Sequence, residues 1–214
     1  MKLALYGAAG MVGSRIAKEA LERGHSVTAL VRHTGKLGIQ HPQLTELQAE
    51  ASDATDVAAK IPGHEVVISA ISPRGDGGTQ RYVQAAQALL AGCKQAGVKR
   101  LLWVGGAGSL EVAPGKILME APGFPAEYLT EARAGYDVLK LFRAETDLEW
   151  TYASPAALFA PGERRGKFKV GGDQLVMDAK GESRISVEDF AYAVVYQLEK
   201  HGKIRQRFTA AYVE

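Results

Sequence analysis

Three glycines, Gly7, Gly10 and Gly13, stand at i, i+3 and i+6 in the opening stretch Met1-Lys-Leu-Ala-Leu-Tyr-Gly-Ala-Ala-Gly-Met-Val-Gly13. Directly behind a short apolar run, that spacing suits the holding of a diphosphate on bare backbone amides. Gly7 would let the chain turn sharply, Gly10 would let the backbone come close to a pyrophosphate, and Gly13 would let the next helix lie against a sheet. The N–H groups of the turn and first helical turn, around Ala9, Met11 and Val12, would hold the phosphates together with the positive end of the helix dipole. A second constellation lies far along the chain, where Tyr136 and Lys140 are four apart and so share a helical face. The plainer readings are a tight turn without a ligand, a core-edge aromatic and a solvated lysine.

The elements that would position these residues follow from periodicity and turn chemistry. Leu3 to Tyr6 reads as a buried strand, and Ile16, Ala17, Ala20 and Leu21 give the helix behind it one apolar face. Further strands are predicted at Ser26 to Arg32, Leu44 to Glu50, Glu65 to Ala70, Lys99 to Val104 and Glu149 to Ser154. Helices are predicted at Ala54 to Lys60, about Thr79 to Ala96, and roughly Pro125 to Thr146. Beyond Pro155 come a hairpin around Gly171-Gly172-Asp173, a helix from Ser186 to His201 and a last strand from Arg207 to Val213. Arg74 to Gly78 and Glu111 to Phe124 read as loops. Strands alternating with helices point to an α/β fold with a parallel sheet wound by right-handed crossovers.

With 214 residues, 46% hydrophobic and 23% charged, the chain suits one soluble globular domain. Its net charge of +2 points to neither nucleic acid nor a membrane surface as a partner. The single Cys93 excludes an internal disulfide and reads as core, and no metal site is expected. Lys2 and the apolar run after it could mimic an export signal, but Gly10, Gly13 and Arg15 soon interrupt it, so a cytoplasmic protein is expected.

The GxxGxxG turn inside a βαβ unit resembles the short-chain dehydrogenase/reductase superfamily, in its atypical and extended branches. Val104-Gly-Gly-Ala-Gly-Ser109, Glu149-Trp-Thr-Tyr-Ala-Ser-Pro155, Gly171-Gly-Asp-Gln-Leu175 and Arg184-Ile-Ser-Val-Glu-Asp189 resemble a compact atypical group. That group comprises NAD(P)H-binding, NmrA-like proteins and proposed NADH-flavin reductases, related to biliverdin reductase B. The resemblance implies a Rossmann-type doubly wound parallel sheet over residues 1–214, with a nucleotide-binding core at 1–155 and a small substrate-side region at 156–214.

It also implies roles for single residues. Asp53 would contact the adenine, its plainer use being an N-cap for the helix at Ala54. Ala70, Ile71 and Gly105, at strand ends, would line the cofactor, and Pro155 would bracket the nicotinamide. Lys140 would hold the nicotinamide ribose and lower the pKa of Tyr136, whose phenol could then exchange a proton with the substrate oxygen. The family's carbonyl-binding Ser or Thr falls where this chain has Gly or Ala, and Ser109 comes slightly later. At the end of the second strand, where a carboxylate would select NAD(H), stands Arg32, with Lys36 close by. A guanidinium there can grip a 2′-phosphate, so NADP(H) is expected over NAD(H).

Two functions follow. One is an NADPH-dependent reductase of a small planar acceptor such as a flavin or quinone. The other is an NmrA-like sensor that binds NADP(H) and signals through a partner without turnover. Assembly into a homodimer stays open.

Overall fold

Strand β1 (Lys2–Tyr6) is buried almost throughout, with Leu3 and Leu5 in one apolar layer and Ala4 and Tyr6 in the other. That is the period of two of a strand covered on both faces. The computed structural model describes residues 1–74 and 77–214. Up to the fifth strand its elements are α1 (Met11–Glu22), β2 (Ser26–Val31), β3 (Leu44–Gln48), α2 (Ala54–Lys60), β4 (Val66–Ser69), α3 (Gly78–Ala96) and β5 (Arg100–Val104). A small hairpin of β6 (Glu111–Ala113) and β7 (Lys116–Ile117) precedes α4 (Leu129–Ala144) and β8 (Glu149–Ser154). The chain ends with β9 (Leu158–Ala160), β10 (Lys169–Gly171), β11 (Arg184–Ser186), α5 (Val187–Glu199) and β12 (Gln206–Ala211). Among the described residues no helix is long and apolar enough to cross a membrane.

The central sheet has the order β10-β12-β8-β5-β4-β1-β2-β3, parallel throughout except for β10. Helices α1 and α5 pack together on one face, through Ile16, Ala17 and Ala20 against Phe190 and Val194 in a common core. Helices α2, α3 and α4 cover the other face around Val57, Leu89, Trp103 and Phe142. Cys93 is buried in that second layer, where burial pushes its thiol up to about 12, so it stays protonated packing. The α/β doubly wound sheet is thus as the sequence implies, and the carboxyl ends of its parallel strands gather at one edge.

Departures cluster after β5. Helix α4 starts at Leu129 because Pro125 opens a separate 3₁₀ turn, Ala126–Tyr128. It stops at Ala144, where the Glu145 carboxylate accepts from the N–H groups of Asp147 and Leu148. The predicted loop at 111–124 contains the β6–β7 hairpin, turned by Gly115 at φ +71°, and a 3₁₀ turn at Leu118–Glu120. No hairpin forms around Gly171–Asp173. Instead β10 runs antiparallel to β12, and Asp173 turns to the nearly buried Arg207, whose Nε donates to it at 2.8 Å. The predicted Arg74–Gly78 loop includes residues 75 and 76, which lie outside the described residues.

The segment 161–166 has no regular structure of its own and is tied by its neighbours. Arg164 donates through Nε and Nη2 to both oxygens of Glu19 on α1, at 2.8 and 2.9 Å, and Arg23 donates to the same carboxylate at 2.7 Å. The Gly162 N–H donates to Glu188, which also accepts from Arg15 of α1. The N–H groups of Arg165 and Gly166 donate to Asp189, and the Ser186 hydroxyl donates to the Glu163 carbonyl.

Glu19 is only 5% exposed. Burial alone would raise its carboxyl, but the bonds from Arg164 and Arg23 outweigh burial and hold it below its ordinary 4.5. A carboxyl held low in the fold contributes stability that is complete above the unfolded value and is lost as pH falls through the folded one. Glu19→Gln is expected to cost about 1–3 kcal/mol at neutral pH and to flatten the loss of stability below pH ~4.5. Urea unfolding followed from pH 7 down to pH 3 checks both.

Candidate functional site

The site begins where β1 ends. Gly7 takes φ +77°, and a Cβ placed on it would stand 2.6 Å from the carbonyl carbon and oxygen of Ala70. A Cβ on Gly13 would meet the Gly7 oxygen at 2.1 Å. These two glycines therefore let α1 and the end of β4 close on the same turn. Gly10 differs: its N–H donates to the Gly7 carbonyl at 3.0 Å, and a Cβ there would meet only that oxygen, at 3.2 Å. No side chain caps α1, and its first turn carries no acidic residue. A bare glycine cradle with uncapped amides and no opposing carboxylate fits the diphosphate of a dinucleotide.

Beyond this turn lies a cavity of about 990 Å³. Of the residues singled out from the sequence, it is lined by Met11, Val12, Ala70, Ile71, Gly105, Ser109 and Pro155. Gly7, Ala9 and Gly10 belong to the adjoining turn. Arg32, Asp53, Tyr136 and Lys140 do not line the cavity.

The helix phase explains why the Tyr136 and Lys140 pair is elsewhere. Tyr128, Glu131, Ala132 and Gly135 line the cavity, spaced as one face of the helix and the turn that leads into it. Tyr136 stands one residue, roughly 100°, further round, and packs at the edge of the core on the α2–α4 side. Lys140 is paired with Asp137 at 2.6 Å, and its ammonium lies 5.1 Å from the Tyr136 ring centre. The tyrosine that this stretch brings to the cavity is instead Tyr128, 44% exposed, with the Arg74 guanidinium 4.9 Å from its ring centre. Arg74 is itself neutralised by Glu131 at 2.7 Å.

Ser109 reaches the cavity but is engaged: its hydroxyl and carbonyl oxygens both accept from Nη1 of Arg207 at 3.0 Å. Burial lowers the Arg207 pKa, against the pull of Asp173. At Gly105 a hydroxyl side chain has no room, since a Cβ there would stand 2.1 Å from the Tyr152 ring and phenol oxygen, whereas a Cβ on Gly106 would meet open space. The Tyr152 phenol donates to the Gly135 carbonyl at 2.8 Å, and the buried Tyr82 phenol in the same apolar layer accepts from Trp103 Nε1 at 2.8 Å. Burial pushes the Tyr82 phenol up to about 12 and the Tyr152 phenol well above its ordinary value. Both are neutral over the physiological range.

The predicted adenosine end lies across the sheet. Asp53 caps α2, accepting from the N–H groups of Thr55 and Asp56 at 2.8 and 3.3 Å. Arg32 is exposed just past β2 and acts with Arg81 on Glu50. Burial would raise the Glu50 carboxyl, but bonds from Ser52 and the two guanidiniums hold it low. Arg81, from the first turn of α3, escaped the sequence reading because only the fold brings it to Glu50. Tyr82, Tyr152 and the cavity's Arg165 and Arg184 escaped it for the same reason.

Residues 7–201 match a family described as NAD(P)H-binding. Three similar crystal structures cover nearly all of the chain. A Burkholderia pseudomallei protein proposed to be exported is 47% identical, with a TM-score of 0.92 over 99% of this chain and 100% of that one. A proposed epimerase of Bacteroides thetaiotaomicron is 39% identical, with a TM-score of 0.93 over 100% and 97%. A proposed NADH-flavin reductase of Streptococcus pneumoniae is 33% identical, with a TM-score of 0.84 over 99% of each.

Gly105→Ser is expected to destabilise the protein by about 1–3 kcal/mol through overpacking against Tyr152. Tyr136→Phe and Lys140→Met, outside the cavity, are expected to leave dinucleotide affinity within about twofold of the parent, well below the tenfold that 1.4 kcal/mol would give. Thermal unfolding and titration calorimetry check these outcomes.

Proposed function

We propose, from the premise that the chain belongs to the NAD(P)H-binding family, that it is an NADPH-dependent reductase of small planar acceptors such as flavins and quinones. The observation that carries this reading is the cavity itself. It runs on from the glycine turn past Gly105 and Pro155, and three exposed apolar side chains, Met11, Tyr128 and Leu158, stand in its wall. A protein that only sensed NADP(H) would need no apolar space beyond the nicotinamide, so the cavity favours turnover over the sensor. The flavin reductase proposed for the pneumococcal structure supports the choice of acceptor.

A bound reduced nicotinamide would supply a hydride. The chain's part is to bind, orient and exclude water. Uncapped amides of α1 would hold the diphosphate, while Gly106, lacking a side chain and open on that side, would leave the nicotinamide and acceptor room to lie face to face. Tyr128 offers a flat aromatic wall. Tyr82 and Tyr152, neutral and bonded to Trp103 and Gly135 respectively, hold the cavity floor rather than move protons. The proton that accompanies the hydride would come from water at the open mouth. A conjugated ring tolerates this because it spreads the added charge, whereas an isolated carbonyl would need the missing hydroxyl.

Arg32 and Arg81 around Glu50 support NADP(H) over NAD(H), since a 2′-phosphate can take over the guanidiniums that the carboxylate now engages. Cytoplasmic residence is part of the same reading: the apolar residues an export signal would use are β1, in the middle of the sheet. The export proposed for the Burkholderia protein concerns that protein.

Purified protein with NADPH and FMN, riboflavin or menadione is expected to consume NADPH, followed by its absorbance. Tight NADP(H) binding with no turnover over that panel would favour the sensor. Arg32→Asp is expected to weaken NADP(H) by about tenfold or more, the scale of one lost charged hydrogen bond, and NAD(H) far less. Equal losses for the two dinucleotides would refute the 2′-phosphate role.

A further inference from the structure

We propose that the far wall of the cavity is an anion subsite, in which Arg184 and Arg165 take a phosphate, carboxylate or sulfonate carried by the planar acceptor away from its ring. The inference rests on the reductase reading and narrows it to acceptors with a detached anionic group.

Charge in the cavity wall is uneven. The lining residues Arg74 and Glu131 neutralise each other at 2.7 Å. On the opposite side the lining residues include two guanidiniums, Arg165 and Arg184, and one carboxylate, Glu163, with Glu182 and Asp189 behind them. The other polar side chains of that wall are already engaged. The Ser186 hydroxyl donates to the Glu163 carbonyl at 2.8 Å, and the Tyr212 hydroxyl donates to Asp189 at 2.7 Å. What the wall can still offer a ligand is guanidinium N–H, which matches an oxyanion rather than a neutral hydroxyl.

Both arginines stand on fixed backbone. Arg184 lies in β11, in register with Leu158 of β9, and its carbonyl accepts from the Tyr212 N–H at 2.9 Å. Its nearest carboxylate, Glu182, is 3.6 Å away, and its covered Nε has no hydrogen-bond acceptor. The Arg165 N–H donates to the fully buried Asp189 at 3.0 Å, and its guanidinium lies 4.8 Å from the Tyr212 ring centre. Asp189 therefore holds both the backbone of Arg165 and the ring beneath its side chain. Cations held this way lose little freedom on binding an anion. The cofactor's diphosphate has its own amides at α1, so the wall is left for the acceptor.

The test compares rings with and without the anionic group, on protein saturated with NADP⁺ so that no hydride moves. Dissociation constants are measured for FMN against riboflavin, and for a 2-methyl-1,4-naphthoquinone carrying a propionate side chain at C3 against its methyl ester. The charged member of each pair is expected to bind about tenfold or more tighter, the scale of one charged hydrogen bond. Arg184→Gln and Arg165→Gln are expected to shrink that ratio towards one while NADP⁺ affinity holds, and Arg184→Lys to restore part of it. Equal affinity within both pairs in the parent protein overturns the subsite and leaves the reductase reading intact. A loss of NADP⁺ affinity in the glutamine variants overturns it too, by assigning the guanidiniums to the dinucleotide. If no member of either pair binds, the reductase reading fails and takes the subsite with it.

Discussion

The structure depends on a contact that only glycine allows, the closure of β4 and α1 on the turn after β1. With Cβ atoms at Gly7 and Gly13, backbone would meet side chain at 2.6 and 2.1 Å, distances at which the turn, the helix or the strand would have to move. Because none of the three can shift alone in a packed interior, the amides at the start of α1 sit at a fixed place above the carboxyl ends of β1 and β4. Ala70 and Ile71, the residues Gly7 touches, are also lining residues of the cavity. The cradle for a diphosphate and the floor beneath the reacting groups are thus one packing arrangement.

A second close approach closes the Gly105 position to any side chain. The Tyr152 phenol fills the space above Gly105 and is bonded to the Gly135 carbonyl, tying β8 to α4 through the core. A residue without a side chain is then required at the strand end, and Gly105 supplies it. A site built this way binds and aligns well but offers little acid or base, which suits acceptors whose own ring stabilises added electrons.

The first half of the fold was legible because its signals are local. The apolar run of β1 and the apolar stripe of α1 each fix an element within a few residues. After β8 the elements are short and pair over long separations: β9 finds β11, and β10 finds β12. No local pattern specifies such partners. The Tyr136 and Lys140 spacing established a shared face but not its direction. That direction was in the sequence all the same, since the buried residues Ala134, Gly135, Val138, Leu139 and Phe142 form a stripe that excludes both. A four-residue spacing needs the phase of the whole helix before it means a site.

The N-terminus of α5 shows how acids with a structural use can still shape a site. Glu188 and Asp189 stand in the first turn behind the Ser186 cap, where carboxylates suit the helix dipole. Their oxygens are used on the segment 161–166, and through Arg15 that wall of the cavity is joined to α1. Glu19 makes a second tie from α1 to Arg164. The helix that would hold the cofactor and this wall of the cavity are thereby one body. Ordering the wall is a cost met during folding rather than on each binding event, so a small ligand with few contacts can still be held in one orientation. For hydride transfer that orientation is the main thing a protein can contribute, because the reaction needs the two rings close and aligned before it needs any ionisable side chain.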